Sequence, residues 1–494
     1  MRMRTILVLI LGLGAACGTK PNPDVCCTDV DQCAAIGVSD GLRPCSGAGQ
    51  VCTPAGVCVA SECDVNTDCT DAASPICIAH ACVAKCVMDT DCMAPAAAKC
   101  DSDGVCVACL ENAQCTTETA PICDATAHAC RGCTEDTECS TGVCVEALGT
   151  CAVATQIIFV SAEGTSNATC DLAHPCLTVA DAIRVLTPTR NVVRIVGDLV
   201  TTSTSSIRLN ENTIVFDGNG TRLTGPSPLF VIGGGATVVM EGLATTGQSP
   251  GGLVFAQVTG GSLTASSLSL TTAAIDVTGG AVHIARSTFD WSANRGDGVT
   301  CEGGDLTLET SSFTTASVFV SGGTARIARN KFDMRQDGSV GAGTALVTIE
   351  NNVIVSHSQF ADSMSAQSLE AGSTVRFNTF FNASGVTDGG RALRCDATVA
   401  VSSNIFAWNS TQSPTCLTTH SLFDQFTSQL GEGNSSAAVG TFFADASTLD
   451  LHLSAASPAR GGGEAGLPVT TDFDGSARPN PAGSAPDVGA FEAP

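Results

Sequence analysis

The sequence predicts an all-β solenoid of stacked parallel coils, preceded by a small disulfide-rich repeat region. Three observations predict it. From Gln156 onward, short stretches of alternating apolar residues recur at a spacing near 23 residues. Several copies open on a Gly-Gly pair. Upstream, 22 cysteines crowd between Cys26 and Cys151, and their density then collapses. At 494 residues the chain exceeds the size at which one compact core stops growing, so a divided or elongated fold is expected. It holds 28 Cys and 51 Gly, only 2 Trp and no Tyr. A net charge of −25 argues against any partner recognised by neutralising phosphates, so no nucleic acid is expected.

The N-terminus reads as an export signal. Arg2 and Arg4 precede the apolar run Ile6 to Leu13, followed by Gly14-Ala15-Ala16-Cys17. The run is too short to span a bilayer, and small residues precede the cysteine as at a cleavage site. Ala-Ala before Cys17 resembles the lipobox of bacterial lipoproteins. That resemblance implies acylation of Cys17, a signal peptide over 1–16, a tether over 17–25 and the lipid bilayer as a partner. Gly18, in place of Asp, implies sorting to the outer membrane or cell surface. Gly14 stands where the lipobox usually has Leu, which leaves ordinary signal-peptidase cleavage as the alternative.

Residues 26–155 form the Cys-rich stalk. A four-cysteine unit recurs as Cys63, Cys69, Cys77, Cys82, then Cys86, Cys92, Cys100, Cys106, then Cys109, Cys115, Cys123, Cys130, then Cys133, Cys139, Cys144, Cys151. Unit starts are 23, 23 and 24 residues apart, and each begins C-x5-C. Cys27, Cys33, Cys52 and Cys58 make an earlier, longer copy, with Cys26 and Cys45 as an extra pair. An even count in an exported chain reads as a disulfide framework, which replaces the core that such small units cannot bury. Zinc is the rival reading of Cys106-x2-Cys109 and Cys130-x2-Cys133, but those pairs straddle unit junctions. No metal or other cofactor is expected. Calcium is considered for Asp64-x-Asn66-x-Asp68, where the Gly and distal Glu of a calcium loop are missing and a solvated acidic face is favoured.

Residues 156–494 carry the solenoid. Gly279-Gly280 leads into Val282, Ile284, Ser287 and Phe289; Gly303-Gly304 into Leu306, Leu308, Ser311 and Phe313; Gly322-Gly323 into Ala325, Ile327, Asn330 and Phe332. The cadence continues through Val347, Ile349, Asn352 and Ile354, then Val375, Asn378 and Phe380, then Val399, Val401, Asn404 and Phe406. Period-2 alternation turns Val282 and Ile284 inward and His283 and Ala285 outward. Stacked coils about 4.8 Å apart would then align Ser287, Ser311, Asn330, Asn352, Asn378 and Asn404 in one column. Phe289, Phe313, Phe332, Ile354, Phe380 and Phe406 form a second. Amide side chains at strand ends satisfy turn backbone groups, and stacked rings fill an elongated core, so both columns are read as structural.

In this repeat the chain resembles the right-handed parallel β-helix proteins related in fold to pectate lyases. Ile157-Ile158-Phe159-Val160, Cys170, Pro175, Cys176 and the stretch to Ile183 resemble their opening. The resemblance implies a strand, a Pro-containing loop tied by Cys170 and Cys176, and a short amphipathic helix capping the coil. At the far end Ser457-Pro458, Asp472-Phe473-Asp474-Gly475, Arg478-Pro479 and the run Asp487 to Glu492 resemble the closing motif of choice-of-anchor Q proteins, which are exported β-helix proteins. This implies loop-fixing and capping roles for Asp472, Asp474, Arg478 and Asp487, with no catalytic role for any of them.

Two functions compete. The first is a non-enzymatic surface protein for adhesion, glycan contact or envelope structure, with a polysaccharide or surface protein as ligand. Its outer face would carry His283, Thr307, Arg326, Thr348 and Thr374, flanked by Glu309, Glu350 and Arg376. A Glu350–Arg376 pair at the surface would contribute only about 0–1 kcal/mol. The second is a polysaccharide lyase or glycoside hydrolase, which needs free acids or calcium-binding carboxylates with a base. The densest set for it is Arg295, Asp297, Glu302 and Asp305, with Arg326, Arg329, Asp333, Arg335 and Asp337 one coil on. Its spacing matches no lyase or hydrolase motif. Sugar clefts also favour exposed aromatic platforms, and Trp291 is the one candidate. Cys395 and Cys416 pair in this reading, Cys301 is left over as a buried free thiol, and no G-x-S-x-G nucleophile is present. The sequence favours the non-enzymatic reading.

Overall fold

The computed structural model describes residues 85–493, except for 167, 201–204, 247–251, 293–295, 336–339, 358–362, 385–390, 397–398, 409–416 and 425–430; Cys69 and four short strands between 50 and 83 are also described. Cys17, Cys63 and Cys416 lie outside the described residues, as do Arg295, Asp337 and the Asp64–Asp68 stretch. Two units are distinguished, Met1–Ala108 and Cys109–Pro494. The change of texture at 155/156 is therefore not a packing boundary, because the last two cysteine units belong to the same unit as the coil.

Each fully described cysteine unit is one hairpin stapled twice. Cys86–Cys100 and Cys92–Cys106 are bonded, then Cys109–Cys123 and Cys115–Cys130, then Cys133–Cys144 and Cys139–Cys151. First joins third and second joins fourth; Cys69–Cys82 follows the same rule, and Cys77 is also disulfide-bonded. The closed loops span 11–15 residues. Closing a loop of that size stabilises by about 3 kcal/mol in the chain-entropy account. Polar residues three and five positions after the first cysteine brace the loop. Asp89, Asn112 and Asp136 accept from the backbone N–H of Cys100, Cys123 and Cys144. Asp91, Gln114 and Glu138 accept from the N–H groups of Val87, Leu110 and Thr134. Asp89 and Asp91 stay exposed to solvent while bracing their hairpin.

The remainder is a parallel β-helix. It opens with the strand Ile157–Thr165 and the helix Val179–Arg184, whose N-cap Thr178 accepts from the Asp181 N–H. Cys170–Cys176 closes the intervening loop. Three parallel sheets then run along the axis. The first contains Thr213–Asp217, Thr237–Glu241, Asp305–Glu309, Thr324–Ala328 and Leu346–Glu350. The second has twelve strands from Leu199–Val200 to Ser435–Ala437. The third runs from Ile207–Leu209 to Leu393–Cys395. Leu253–Ser266 and Ala273–Ala285 are long enough to pass through the third sheet, bend at Gly260-Gly261 and Gly279-Gly280, and continue in the first. At this bend a Cβ on Gly304 would fall 2.4 Å from the Gly280 carbonyl oxygen, so the stacked corners require glycine.

The corner between the first and second sheets decides the register. One residue per coil takes a left-handed conformation there, including Arg286, Thr310, Arg329, Asn351, Phe377 and Ser403. The next residue is the predicted polar column. Ser287 N–H donates to Ser311 Oγ, Ser311 N–H to Asn330 Oδ1, Asn330 to Asn352, Asn352 to Asn378 and Asn378 to Asn404, all at 2.9–3.1 Å. The column runs on, unanticipated, through Ser421 and Asn434. Asn330, Asn352, Asn378 and Asn404 each also donate through Nδ2 to a carbonyl of the preceding coil and to one two residues back; Asn352 reaches Ile327 and Glu350. Inside, Phe289, Phe313 and Phe332 stack at 4.7–4.8 Å, Ile354 interrupts, and Phe380, Phe406 and Phe423 resume at 5.0–5.1 Å.

The C-terminal segment closes the molecule by crossing the outer face of the second sheet. Asp472 accepts from Ser476 and Glu492 N–H, and Asp487 from Gly461 and Ala493 N–H. Arg478 donates to the carbonyls of Asp487 and Gly489 and lies over the Phe377 ring. These are the loop-fixing roles expected of Asp472, Arg478 and Asp487; Asp474 instead meets His452 at 2.8 Å.

Asn352→Asp removes the Nδ2 donors and places a charge where the side chain is wholly buried. The midpoint of thermal unfolding should fall, with a loss of about 3 kcal/mol. An unchanged midpoint would contradict the ladder.

Candidate functional site

Charged side chains on the outer face of the first sheet form one connected ribbon. Strand register places His283, Thr307, Arg326, Thr348 and Thr374 in one file, and Ala285, Glu309, Ala328, Glu350 and Arg376 in the next. Arg326 binds Glu350 at 2.7 Å, and Arg376 binds the other oxygen of Glu350 at 2.9 Å. Arg329 and His283 bind Glu309 at 2.8 and 3.0 Å. The Glu350–Arg376 pair is therefore real but is not the solvated surface pair expected. The Glu350 side chain is 5% exposed. The C-terminal segment reaches this edge, where Asn351 Nδ2 donates to the Thr471 carbonyl at 2.7 Å. Burial of Glu309 pushes its carboxyl up, but hydrogen bonds from Arg329 and His283, with their charges, outweigh it and hold the group below its ordinary value. Both carboxylates are thus committed to cations, and Glu309, held low, is not a ready proton donor.

The densest charged set in the sequence does not converge. Asp297 lies on the third-sheet strand Gly296–Cys301 and accepts from Ser317; Asp305 accepts from Thr324. Glu302 sits at the exposed bend between those strands. Arg326 and Arg329 turn to the ribbon on the first sheet, and Asp333 meets His357 at 2.9 Å. Among the described residues no hydrogen bond or ion pair links Asp297, Glu302 or Asp305 to either arginine. Trp291 is not a sugar platform. It is 4% exposed, with its ring so close to Gly252 and Gly296 that a Cβ on either would fall 2.2 Å from it. Trp408 is buried as well.

Among the described residues the clustered sulfurs are already bonded in pairs. Three sets of cysteine sulfurs, among them Cys86, Cys92 and Cys106, lie close enough to suggest a metal site. All of them are in disulfides, which leaves no thiolate to ligate. Cys395 is disulfide-bonded, while Cys301 is a buried free thiol whose ionisation burial pushes up.

Sequence reasoning missed a groove of about 370 Å³ along the corner between the first and second sheets. Arg286, Arg329 and Lys331 line it with Thr288, Thr310 and Ser312, and Phe473 of the C-terminal segment forms one wall. No carboxylate lines it. The signal was present in the repeat, because Arg286, Thr310 and Arg329 each precede a ladder residue.

Sequence reasoning also missed a titratable contact where the last cysteine unit meets the coil. Val143, Val145 and Ala152 pack on Ile157, Val192, Val215 and Val239. Beside them Glu241 accepts from the backbone N–H of Glu146 and Ala147 at 3.0 and 2.7 Å. Asp217 pairs with Arg194, which also reaches Asp136 at 2.7 Å. Burial pushes Glu241 up to about 7, against the pull of those two N–H groups, and the neighbouring carboxylates of Glu146 and Asp217 add to the rise. Burial likewise pushes Asp217 to about 6, even with the Arg194 guanidinium beside it.

No protein-family model and no curated protein matches the chain. Among solved structures it is similar to the crystal structure of pectate lyase Pel9A, at 14% identity and a TM-score of 0.34, over 68% of this chain and 96% of that one.

Folding favours the protonated form of Glu241, so its contribution is fully present below 4.5 and is lost as pH rises through about 7. Calorimetry should show stability falling between pH 5 and pH 8. Glu241→Gln should flatten that profile by roughly 1–3 kcal/mol. The same slope in the variant would remove Glu241 as the cause.

Proposed function

We propose that this chain is an exported lipoprotein, anchored in the outer membrane or at the cell surface through acylated Cys17. It presents its β-helix as a non-catalytic contact surface for glycans or other surface partners. The observation that carries the reading is the ribbon itself: Glu309 lies between Arg329 and Arg326, and Glu350 between Arg326 and Arg376. A general acid needs a protonated carboxyl, and a general base needs a carboxylate free to take a proton; ion-paired groups supply neither. The burial of Trp291 and Trp408 supports the same reading, since an extended sugar cleft would use exposed rings. The braced cysteine hairpins suit a stalk that must persist in an oxidising compartment.

Cys17→Ser should move the protein from the membrane fraction to the soluble fraction. The purified full chain, incubated with bacterial, plant and algal polysaccharides with and without calcium, should release no unsaturated or reducing ends. Membrane retention of the variant would remove the anchor, and product release would replace the contact role with catalysis.

A further inference from the structure

We infer that the corner groove is a binding site for an acidic polysaccharide, a sugar polymer carrying carboxylate or sulfate groups at regular intervals. The inference rests on the contact-surface reading above and names the ligand class.

The protein as a whole carries a charge of −25, yet the groove lining contains three cations and no carboxylate. Such a local reversal of sign concentrates anions against the field of the rest of the molecule. Its cations are unequally engaged. Lys331 is exposed and has no ion pair among the described residues. Arg286 reaches Glu146 at 3.1 Å but keeps 55% of its side chain exposed. Arg329 donates to Glu309 through one terminal nitrogen, while its buried Nε has no hydrogen-bond partner. Arg329 nevertheless keeps 26% of its side chain exposed where it lines the groove, and an oxyanion entering there gains a charge-assisted hydrogen bond from it.

The geometry favours a periodic polymer. Arg286, Thr310 and Arg329 occupy successive coils of one file, and Thr288, Ser312 and Lys331 occupy successive positions of the next. Coils rise about 4.8 Å, so Arg286 and Arg329 stand about 10 Å apart along the axis. Hydroxyl-bearing residues fill the position between them. Cations alternating with hydroxyls along a straight groove match a chain of sugars that turns an acidic group toward the groove at every second unit. The ring of Phe473 offers an apolar wall to the face of a sugar. The site differs from an aromatic-lined cleft in that charge and hydroxyl contacts carry recognition, so binding weakens with added salt.

The test uses the full chain, immobilised, with alginate, dextran sulfate, neutral dextran and poly-glutamate as soluble probes at low and high salt. Lys331→Glu combined with Arg286→Gln is run in parallel, with its melting midpoint checked against the parent. Alginate or dextran sulfate should bind and neutral dextran should not. The double variant should weaken binding at least tenfold, since each charge-assisted contact is worth about tenfold, with no change in melting. A preference for alginate over dextran sulfate, or the reverse, would support the site and identify its acidic group. Equal binding of neutral dextran, undiminished binding by the folded double variant, or poly-glutamate binding as tightly as the sugars would each overturn the inference. Should the variant melt early, Lys331→Gln alone carries the same test, because Lys331 is exposed. Reducing ends are assayed in the same mixtures. Their appearance would defeat the non-catalytic reading without touching the groove, and loss of binding without them would defeat the groove alone.

Discussion

The structure depends on how the chain satisfies its backbone at one corner. At the turn between the first and second sheets the chain bends too sharply for strand pairing to use every N–H and carbonyl, and the corner is buried. Serine and asparagine side chains take over those groups, each one bridging to the coil above and the coil below. The residue before each adopts a left-handed backbone, a conformation that costs free energy for threonine or arginine and persists only when its surroundings impose it. A parallel coil has no local partner of its own, so this column is what makes neighbouring turns agree on register. The phenylalanine stack then follows, because a fixed register places ring over ring.

Once the register is set, the outer face is determined too. Charges that fall in line pair from coil to coil, and the C-terminal segment seals part of the ribbon that results. Sealing changes the energetics. An exposed pair at Glu350 would contribute little, whereas the buried carboxylate requires both arginines to remain charged and in place. The same closure leaves one stretch of corner open, where cations and hydroxyl-bearing residues line a groove beside Phe473. Rigidity and the groove therefore have a common origin in the ladder.

Much of this was legible in the sequence because repetition exposes it. The Gly-Gly bends, the polar column and the ring column each recur at readable intervals, and the paired registers reproduce them residue for residue from Phe289 to Phe406. What escaped depends on segments distant in sequence. Asn351 meets Thr471 across 120 residues, and Glu241 meets Ala147 across 94. One signal of the second contact was available. Val192-Val193, Ile214-Val215-Phe216 and Val238-Val239-Met240 are continuous apolar runs, whereas Val282 and Ile284 alternate with His283 and Ala285. Continuous runs mark strands covered on both faces, and the cysteine unit is that cover. Trp291, the candidate sugar platform, is buried because Gly252 and Gly296 leave room for its ring, and a space made by glycines from neighbouring coils is not marked in the sequence.

Native-state hydrogen exchange of the full chain, resolved to single amides, tests the central claim most directly. The amides of Asn330, Asn352, Asn378 and Asn404 should exchange only through global unfolding, as slowly as the strand amides of Ile327 and Ile349 beside them. Exchange of those corner amides well before the strands would show that the coils are held in register by something other than the ladder.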